Sequence, residues 1–260
     1  MNLLSSKRPV ASSNLIRVLS DLVAPNKSAS DKRFSESLSE MMDFSATVRL
    51  SDTLDKVKRI QDSDHQINKS DEFRFVPSAL RERSHRAFVR VRASAVDSIN
   101  KSFEPKSNLT RIVLPSTCHT ELAELNKMFQ PYKAFYLAHQ KDLTSRVHGL
   151  RVYLRKAFSS TSDELLQLVV LDTVFGETLD TNLNNSLRSV PSLVEQRFTN
   201  LFETLVTQKG GVEGCGKSHF STTLNQFTSE VRELLNLELE LRLQPALGLL
   251  EAYDEKFKIT

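Results

Sequence analysis

The stretch LLQLVVLDTVFGETLDTNLNNSLRSVPSLVEQRFTNLFETL, residues 165–205, decides the fold. Apolar side chains recur in it at steps of three or four without losing phase: Leu165, Leu168, Leu171, Phe175, Leu179, Leu183, Leu187, Val190, Val194, Phe198, Leu201 and Leu205. This spacing puts all of them on one face of an α-helix. A continuous helix of that length would span roughly 60 Å at about 1.5 Å per residue. The pattern therefore predicts a protein built on long helices.

Two signals divide and bound this stretch. Pro191 removes one helical hydrogen bond and clashes with the preceding turn. A capping pattern, typical of a helix start, follows it at Ser192–Glu195. We therefore expect a kink, or two helices with a tight joint, near residues 189–192. The string Thr161-Ser-Asp-Glu164 predicts a helix start in which the Thr161 side chain is the cap.

Further helices are predicted on both sides of the stretch. One begins near Pro77, a favourable first-turn residue, and runs to about residue 103 with a thin apolar stripe. Another covers residues 132–158, and Pro131 separates it from a helix or turn near residues 120–129.

The last predicted helix runs over residues 218–256, with a kink near Pro245. Within it, leucines alternate with polar residues from Leu235 to Leu243, as they do in a strand. The composition of Leu, Glu and Arg favours helix instead, so we predict helix there as well.

These elements predict an all-α fold, a long-helix hairpin or bundle over residues 77–256 with a Gly-rich loop at 209–217. Residues 1–11 are expected to form a disordered tip, residues 12–61 a small helical subdomain, and residues 62–76 a linker.

Composition supports few, long elements in a cytoplasmic protein. The chain of 260 residues has only 7 Gly and 8 Pro, fewer than the tight turns of a β-rich fold would require. Its net charge of +3 is nearly balanced, and its two cysteines form no disulfide framework. No apolar run reaches the ~20 residues of a spanning helix, so we expect no membrane insertion. The alternative of a mitochondrial presequence rests on Lys7, Arg8 and Arg17 in an N-terminus without acids.

One string imitates a nucleotide site. Residues 211–218, GVEGCGKS, match the P-loop pattern, in which Lys217 would reach phosphate oxygens and Ser218 would hold Mg²⁺. A P-loop functions between a buried strand and a helix, whereas the preceding segment here has a helical period. We interpret the string as an interhelical loop and predict no cofactor. A nucleotide-driven switch is the third of our functional hypotheses.

Other candidate sites were weighed on residue type and spacing. Cys118-His119 and Cys215 with His219 lack the usual spacing of zinc ligands, so we predict no metal site. No nucleophilic triad or carboxylate pair stands out, and we predict that the chain is not an enzyme. His139 and His148 are interpreted as packing or surface residues, and Asp172 as a half-buried carboxylate that is capped or paired.

The densest basic segment is a candidate nucleic-acid contact. It supplies Arg83, Arg86, Arg90 and Arg92, of which the first three are predicted to share one helical face. Such a face can bind phosphates, be solvated, or pair with acids of another helix.

Four stretches carry a family resemblance: residues 13–22, SNLIRVLSDL; residues 130–140, QPYKAFYLAHQ; residues 190–198, VPSLVEQRF; and residues 239–252, LELRLQPALGLLEA. They resemble the bacterial domain-of-unknown-function family 3348, with gaps at residues 60–125 and at the Gly-rich loop.

The resemblance implies an all-α protein without assigned chemistry. It also implies a gene neighbourhood with a proton-channel stator pair of the flagellar-motor type, similar to the type III Zorya anti-phage systems. The implied role is that of a cytosolic accessory component. Its expected partners are a second cytosolic accessory protein of the same operon and the cytoplasmic part of the motor.

Two functional hypotheses come before the nucleotide switch. The first is an adaptor that acts through helix-mediated contacts with a partner protein or a second copy of itself. The second is an accessory protein that binds invading DNA through the basic helix face.

Overall fold

The computed structural model describes residues 77–104, 112–114, 125–208 and 217–257. Five α-helices account for nearly all of them, and these residues contain no strand: α1 Pro77–Ser102, α2 Leu125–Ser159, α3 Asp163–Leu187, α4 Val190–Gln208 and α5 Lys217–Lys256. The all-α prediction is confirmed. The predictions for residues 1–76 and for most of the Gly-rich loop concern residues outside the described part.

The helices contribute to two compact units. Among the described residues, unit 1 includes residues 94–104, 112–114, 125–144, 188–208 and 217–242. Unit 2 includes residues 77–93, 145–187 and 243–257. Helices α1, α2 and α5 each supply one segment to each unit, whereas α3 belongs to unit 2 and α4 to unit 1.

The predicted joint in the long apolar stripe is confirmed. Helix α3 ends at Leu187 and α4 begins at Val190, and the Ser192 amide donates to the Ser189 carbonyl at 3.1 Å. Pro191 lies in the first turn of α4, where a helix leaves its amide groups without intrahelical partners, so the missing N–H costs nothing. The proline therefore starts a helix here instead of bending one.

The start of α3 differs from prediction by one residue. Ser162 is the cap, because its Oγ accepts from the Leu165 amide at 3.3 Å. The Thr161 hydroxyl donates instead to the Ala157 carbonyl at 3.1 Å, at the end of α2. Two adjacent hydroxyl residues thus serve two helices, and the prediction that Thr161 is the cap of α3 was wrong by one residue.

Two predictions concern prolines that lie inside helices. Pro131 does not separate two elements, because α2 is continuous from Leu125 to Ser159. It stands in the second turn, where a missing amide removes a single hydrogen bond near a helix end. Helix α5 likewise continues through Pro245; the kink expected there stays a prediction.

The leucine-rich segment of α5 is helical, which confirms the composition argument over the alternation. Leu235, Leu239 and Leu243 are buried, four residues apart, whereas Leu237 and Leu241 are only half-buried. The alternating leucines therefore form a wide apolar face of one helix.

The core of unit 1 is aromatic. Phe198 of α4 lies at its centre, with ring centroids 5.5 Å from Phe129, 5.8 Å from Tyr132 and 5.1 Å from Phe227. Helix α4 packs antiparallel to α2 and antiparallel to α5, as in the predicted bundle.

The core of unit 2 is mainly aliphatic. Phe158 of α2 stacks on Tyr253 of α5 at 4.7 Å between centroids. The other buried side chains of this unit include aliphatic residues of α2, α3 and α5: Leu150, Leu154, Leu165, Val169, Leu249 and Leu250.

Candidate functional site

The arginines predicted as a nucleic-acid contact all lie on α1, and all four are exposed. At about 100° per residue, Arg83, Arg86 and Arg90 fall within an arc of about 60° around the helix axis, whereas Arg92 is about 180° from Arg83. We call the first three the arginine surface. Arg86 Nη2 is 3.6 Å from the Glu82 carboxylate, a loose and solvent-exposed ion pair.

The other basic side chains of this segment face inward and hold α1 against α5. Arg81 Nε donates to Asp254 Oδ1 at 2.9 Å, and His85 Nε2 is 3.0 Å from Asp254 Oδ2. The Tyr253 hydroxyl donates to the Pro77 carbonyl at 3.0 Å. We call these contacts the polar latch. No local sequence signal indicated this pairing, because Asp254 is 173 residues away from Arg81.

Asp172 is paired and largely buried, as predicted from its position beside the apolar stripe. Its carboxylate accepts from Arg151 Nη2 at 3.1 Å and from Arg155 Nε at 2.6 Å. Arg151 Nη1 also donates to both carboxylate oxygens of Asp180 at 2.8 Å. Two arginines thus face two carboxylates, so the cluster is electrically balanced and joins α2 to α3 within unit 2.

Gly176 makes this cluster possible. A Cβ atom at this position would overlap Arg151 Nη2 and lie 2.6 Å from Arg155 Nη2. The guanidinium groups therefore occupy the space of the missing side chain, and a Cβ atom at this position would displace them.

A second buried polar cluster lies in unit 1 around Glu238, which is fully buried. Its carboxylate accepts from the Tyr136 hydroxyl at 2.9 Å, from Gln140 Nε2 at 3.1 Å and from Arg242 Nε at 2.9 Å. Burial, and then the Glu238 charge, raises the pKa of Tyr136 well above its usual value. A neutral phenol is therefore fixed as a donor, and the cluster ties α2 to α5.

Ser102 and His139 form a buried pair that resembles part of a nucleophilic dyad. Ser102 Oγ is 2.9 Å from His139 Nε2 and also donates to the Ile99 carbonyl at 2.6 Å. Because the serine proton is used on that carbonyl, the histidine is the donor between the two side chains. The proton direction is the reverse of what serine activation needs, and both residues are fully buried. His139 is thus a packing residue and His148 an exposed one, as predicted.

The outer face of α2 in unit 2 carries apolar side chains in solvent. Val152 and Tyr153 are 48% and 37% exposed, and they lie one turn from Gly149. A Cβ atom added to Gly149 would meet no neighbouring side chain within 4 Å. On α1, Val89 is 62% exposed. These positions are accessible to another protein.

The P-loop string lies between two helices. Residues 211–216 and the cysteines of the candidate zinc ligands are outside the described residues, whereas Lys217 and Ser218 are the first residues of α5. The preceding element, α4, is a helix and not a strand. Within the described ranges, no group of three His, Cys, Asp or Glu residues could hold a metal ion.

Helix length and hydropathy also bear on the membrane question. Among the described helices, none combines the length and apolar content required to cross a bilayer.

The architecture thus defines an all-helical protein whose buried polar groups join helices to one another. Residues 1–255 match the model of a family described as Protein of unknown function (DUF3348), and the chain belongs to that family. The family resemblance seen in the sequence is thereby confirmed. No curated protein and no solved structure matches the chain.

Proposed function

We propose that this chain is a non-enzymatic accessory protein that acts through helix-mediated contacts with a partner protein. The observation that supports it is the outer face of α2, where Val152 and Tyr153 are exposed beside the open backbone of Gly149. Tyrosine supplies a large contact area at low conformational cost and is enriched in protein interfaces. An accessible glycine lets a partner helix approach closely.

The sequence resemblance makes the proposal more specific. In the setting it implies, the chain is a cytoplasmic component of an anti-phage defence complex driven by a stator-type proton-channel motor. The partner is then a second cytosolic accessory protein of the same operon, or the cytoplasmic part of the motor. The same face could also pair two copies of the chain.

Co-purification with the neighbouring cytosolic protein tests this proposal. The double variant Val152→Ser with Tyr153→Ser should lose the partner, because it removes the apolar contact area without touching the core. Leu137→Ser is the matched control, since Leu137 is 45% exposed on the unit 1 segment of α2. A chain that stays monomeric and binds neither operon partner, or a double variant that still co-purifies, would refute the proposal.

A second candidate function is supported by the arginine surface. Arg83, Arg86 and Arg90 remain exposed on one side of α1, while Arg81 and His85 of the same helix are committed to Asp254. An exposed arginine arc can bind the phosphates of invading DNA. Mobility shift of labelled nucleic acid by the wild-type chain, and its loss on changing all three arginines to Ala, tests this candidate.

A further inference from the structure

We infer that the arginine surface contacts the phosphate backbone of a nucleic-acid duplex without reading its sequence. The inference rests on the second candidate function and adds the form of nucleic acid and the mode of recognition. Its evidence is the placement of Arg83, Arg86 and Arg90 and of the side chains between them.

The spacing of the arginines fits one strand of a duplex. Arg83 and Arg90 are seven residues apart, which is about 10 Å along the helix at 1.5 Å per residue. One strand of B-DNA presents a charge every 3.4 Å along the duplex axis, so this length corresponds to about three phosphates. Guanidinium groups bind phosphate oxygens in a bidentate manner.

The side chains around the arginines favour a duplex over single strands and over an acidic protein. The other exposed residues in or beside this arc are the small Ala79 and Ala93 and, further along α1, Asp97, whose carboxylate is paired with Lys101 at 2.7 Å. Single-strand sites need aromatic platforms for stacking, and protein interfaces need a buried apolar anchor. Within the described part of α1, the arc offers neither, because Val89 lies at its edge beside Glu82 and Phe88 is half-buried on the opposite side.

The surface is also positioned rigidly. The polar latch fixes the inner side of α1 through Arg81 and His85, so the outer arginines project from a supported helix. Ser84, Ala95 and Ile99 are buried on the inner side of α1, whereas the arginine surface faces solvent. Contacts limited to phosphates carry no sequence information.

The test is fluorescence anisotropy with labelled 20-base-pair duplexes of two unrelated sequences, as DNA and as RNA, and with single strands of the same length. Three phosphate contacts predict a slope of about −2.7 for log affinity against log salt, a loss of about 40-fold between 50 and 200 mM salt. The triple variant Arg83→Ala, Arg86→Ala, Arg90→Ala should bring the slope close to zero. Replacing the same three residues by Lys should retain most of it.

Two controls isolate the surface. Arg92→Ala changes an arginine of the same helix on the far side. The triple variant Lys141→Ala, Lys156→Ala, Arg188→Ala removes two exposed charges from α2 and one from the turn between α3 and α4. Both should leave the affinity within about twofold of wild type, and circular dichroism should show unchanged helix content in every variant.

Specific outcomes would overturn the inference. Tighter binding to single strands than to duplexes, or a preference between the two duplex sequences, would exclude a sequence-independent duplex contact. Equal competition by poly-L-glutamate at matched charge, or unchanged affinity of the arginine triple variant, would exclude phosphate binding by this surface. The comparison of DNA with RNA duplexes identifies which source of phosphates is preferred. Co-purification with a protein partner through Val152 and Tyr153 is measured separately, so the two proposals fail independently.

Discussion

Arg81 Nε and His85 Nε2, one turn apart on α1, both bind the carboxylate of Asp254 near the end of α5, at 2.9 and 3.0 Å. The carboxylate side chain is only 18% exposed, so these charge-assisted bonds are partly shielded from solvent. They hold the segment of α1 that carries the arginine surface.

Removing the carboxylate should loosen this segment without unfolding the protein. In Asp254→Ala, amide hydrogens of residues 77–93 should exchange faster by about 5- to 30-fold, which corresponds to a loss of about 1–2 kcal/mol of local stability. Hydrogen exchange read by mass spectrometry measures this directly. Glu255→Ala, at an exposed neighbouring position, is the control and should leave exchange unchanged. Equal exchange in the two variants would show that the latch does not hold α1.

The comparison of sequence with structure shows where pattern reasoning succeeds. The start of α1 at Pro77, the joint between Leu187 and Val190, and the helical state of Leu235–Leu243 follow from local propensity and periodicity, which neighbouring residues determine. The four candidate arginines are exposed on α1, and their role as a nucleic-acid contact stays a prediction.

Long-range partnerships could not be predicted in the same way. Asp254 binds Arg81 across 173 residues, and no local signal identifies such a pair. Glu238 and Arg242 have the spacing of an ordinary surface pair on a helix, yet both are buried because Tyr136 and Gln140 of α2 pack against them. Burial of a charge depends on the neighbouring helix, which periodicity within one helix does not specify.

Two helical glycines should respond oppositely to alanine. Gly176→Ala puts a methyl group into the space of the Arg151 and Arg155 guanidinium groups, and overpacking of this kind costs about 1–3 kcal/mol. Gly149→Ala meets open space and should stabilise the helix by about 0.5–1 kcal/mol. Urea denaturation measures both free energies of unfolding. If Gly176→Ala is as stable as wild type, the close approach of the arginines is not needed for folding.

Two tyrosines of α2 should also differ on loss of their hydroxyl groups. The Tyr132 hydroxyl is buried and has no hydrogen-bond partner among the described residues, whereas the Tyr136 hydroxyl donates to Glu238. An unsatisfied buried polar group costs about 1–3 kcal/mol. Tyr132→Phe should therefore raise the free energy of unfolding by about 1 kcal/mol, and Tyr136→Phe should lower it. A destabilised Tyr132→Phe protein would contradict this assignment.

Tyr132 of α2 and Tyr253 of α5 set an alkaline limit on stability. Burial raises the pKa of Tyr132 and that of Tyr253 from 10 to about 12. Because the folded state favours the neutral phenol, this contribution is complete below about pH 10 and is lost as the pH rises through about 12. Chemical denaturation at pH 8 and pH 11 should show the decline, and Tyr132→Phe should reduce it. A decline of equal size in Tyr132→Phe would assign it to other groups.

The buried Glu238 cluster should tolerate joint replacement better than loss of one charge. Glu238→Ala leaves the Arg242 guanidinium, which is 7% exposed, without its buried carboxylate, and such a change costs about 3–5 kcal/mol. The double variant Glu238→Leu with Arg242→Met replaces both charges by apolar groups of similar size. No buried arginine is then left without Glu238, although Tyr136 and Gln140 lose their acceptor. Its free energy of unfolding should therefore lie between those of the wild type and Glu238→Ala. A double variant less stable than Glu238→Ala would show that the hydrogen bonds to Glu238 matter more than charge pairing.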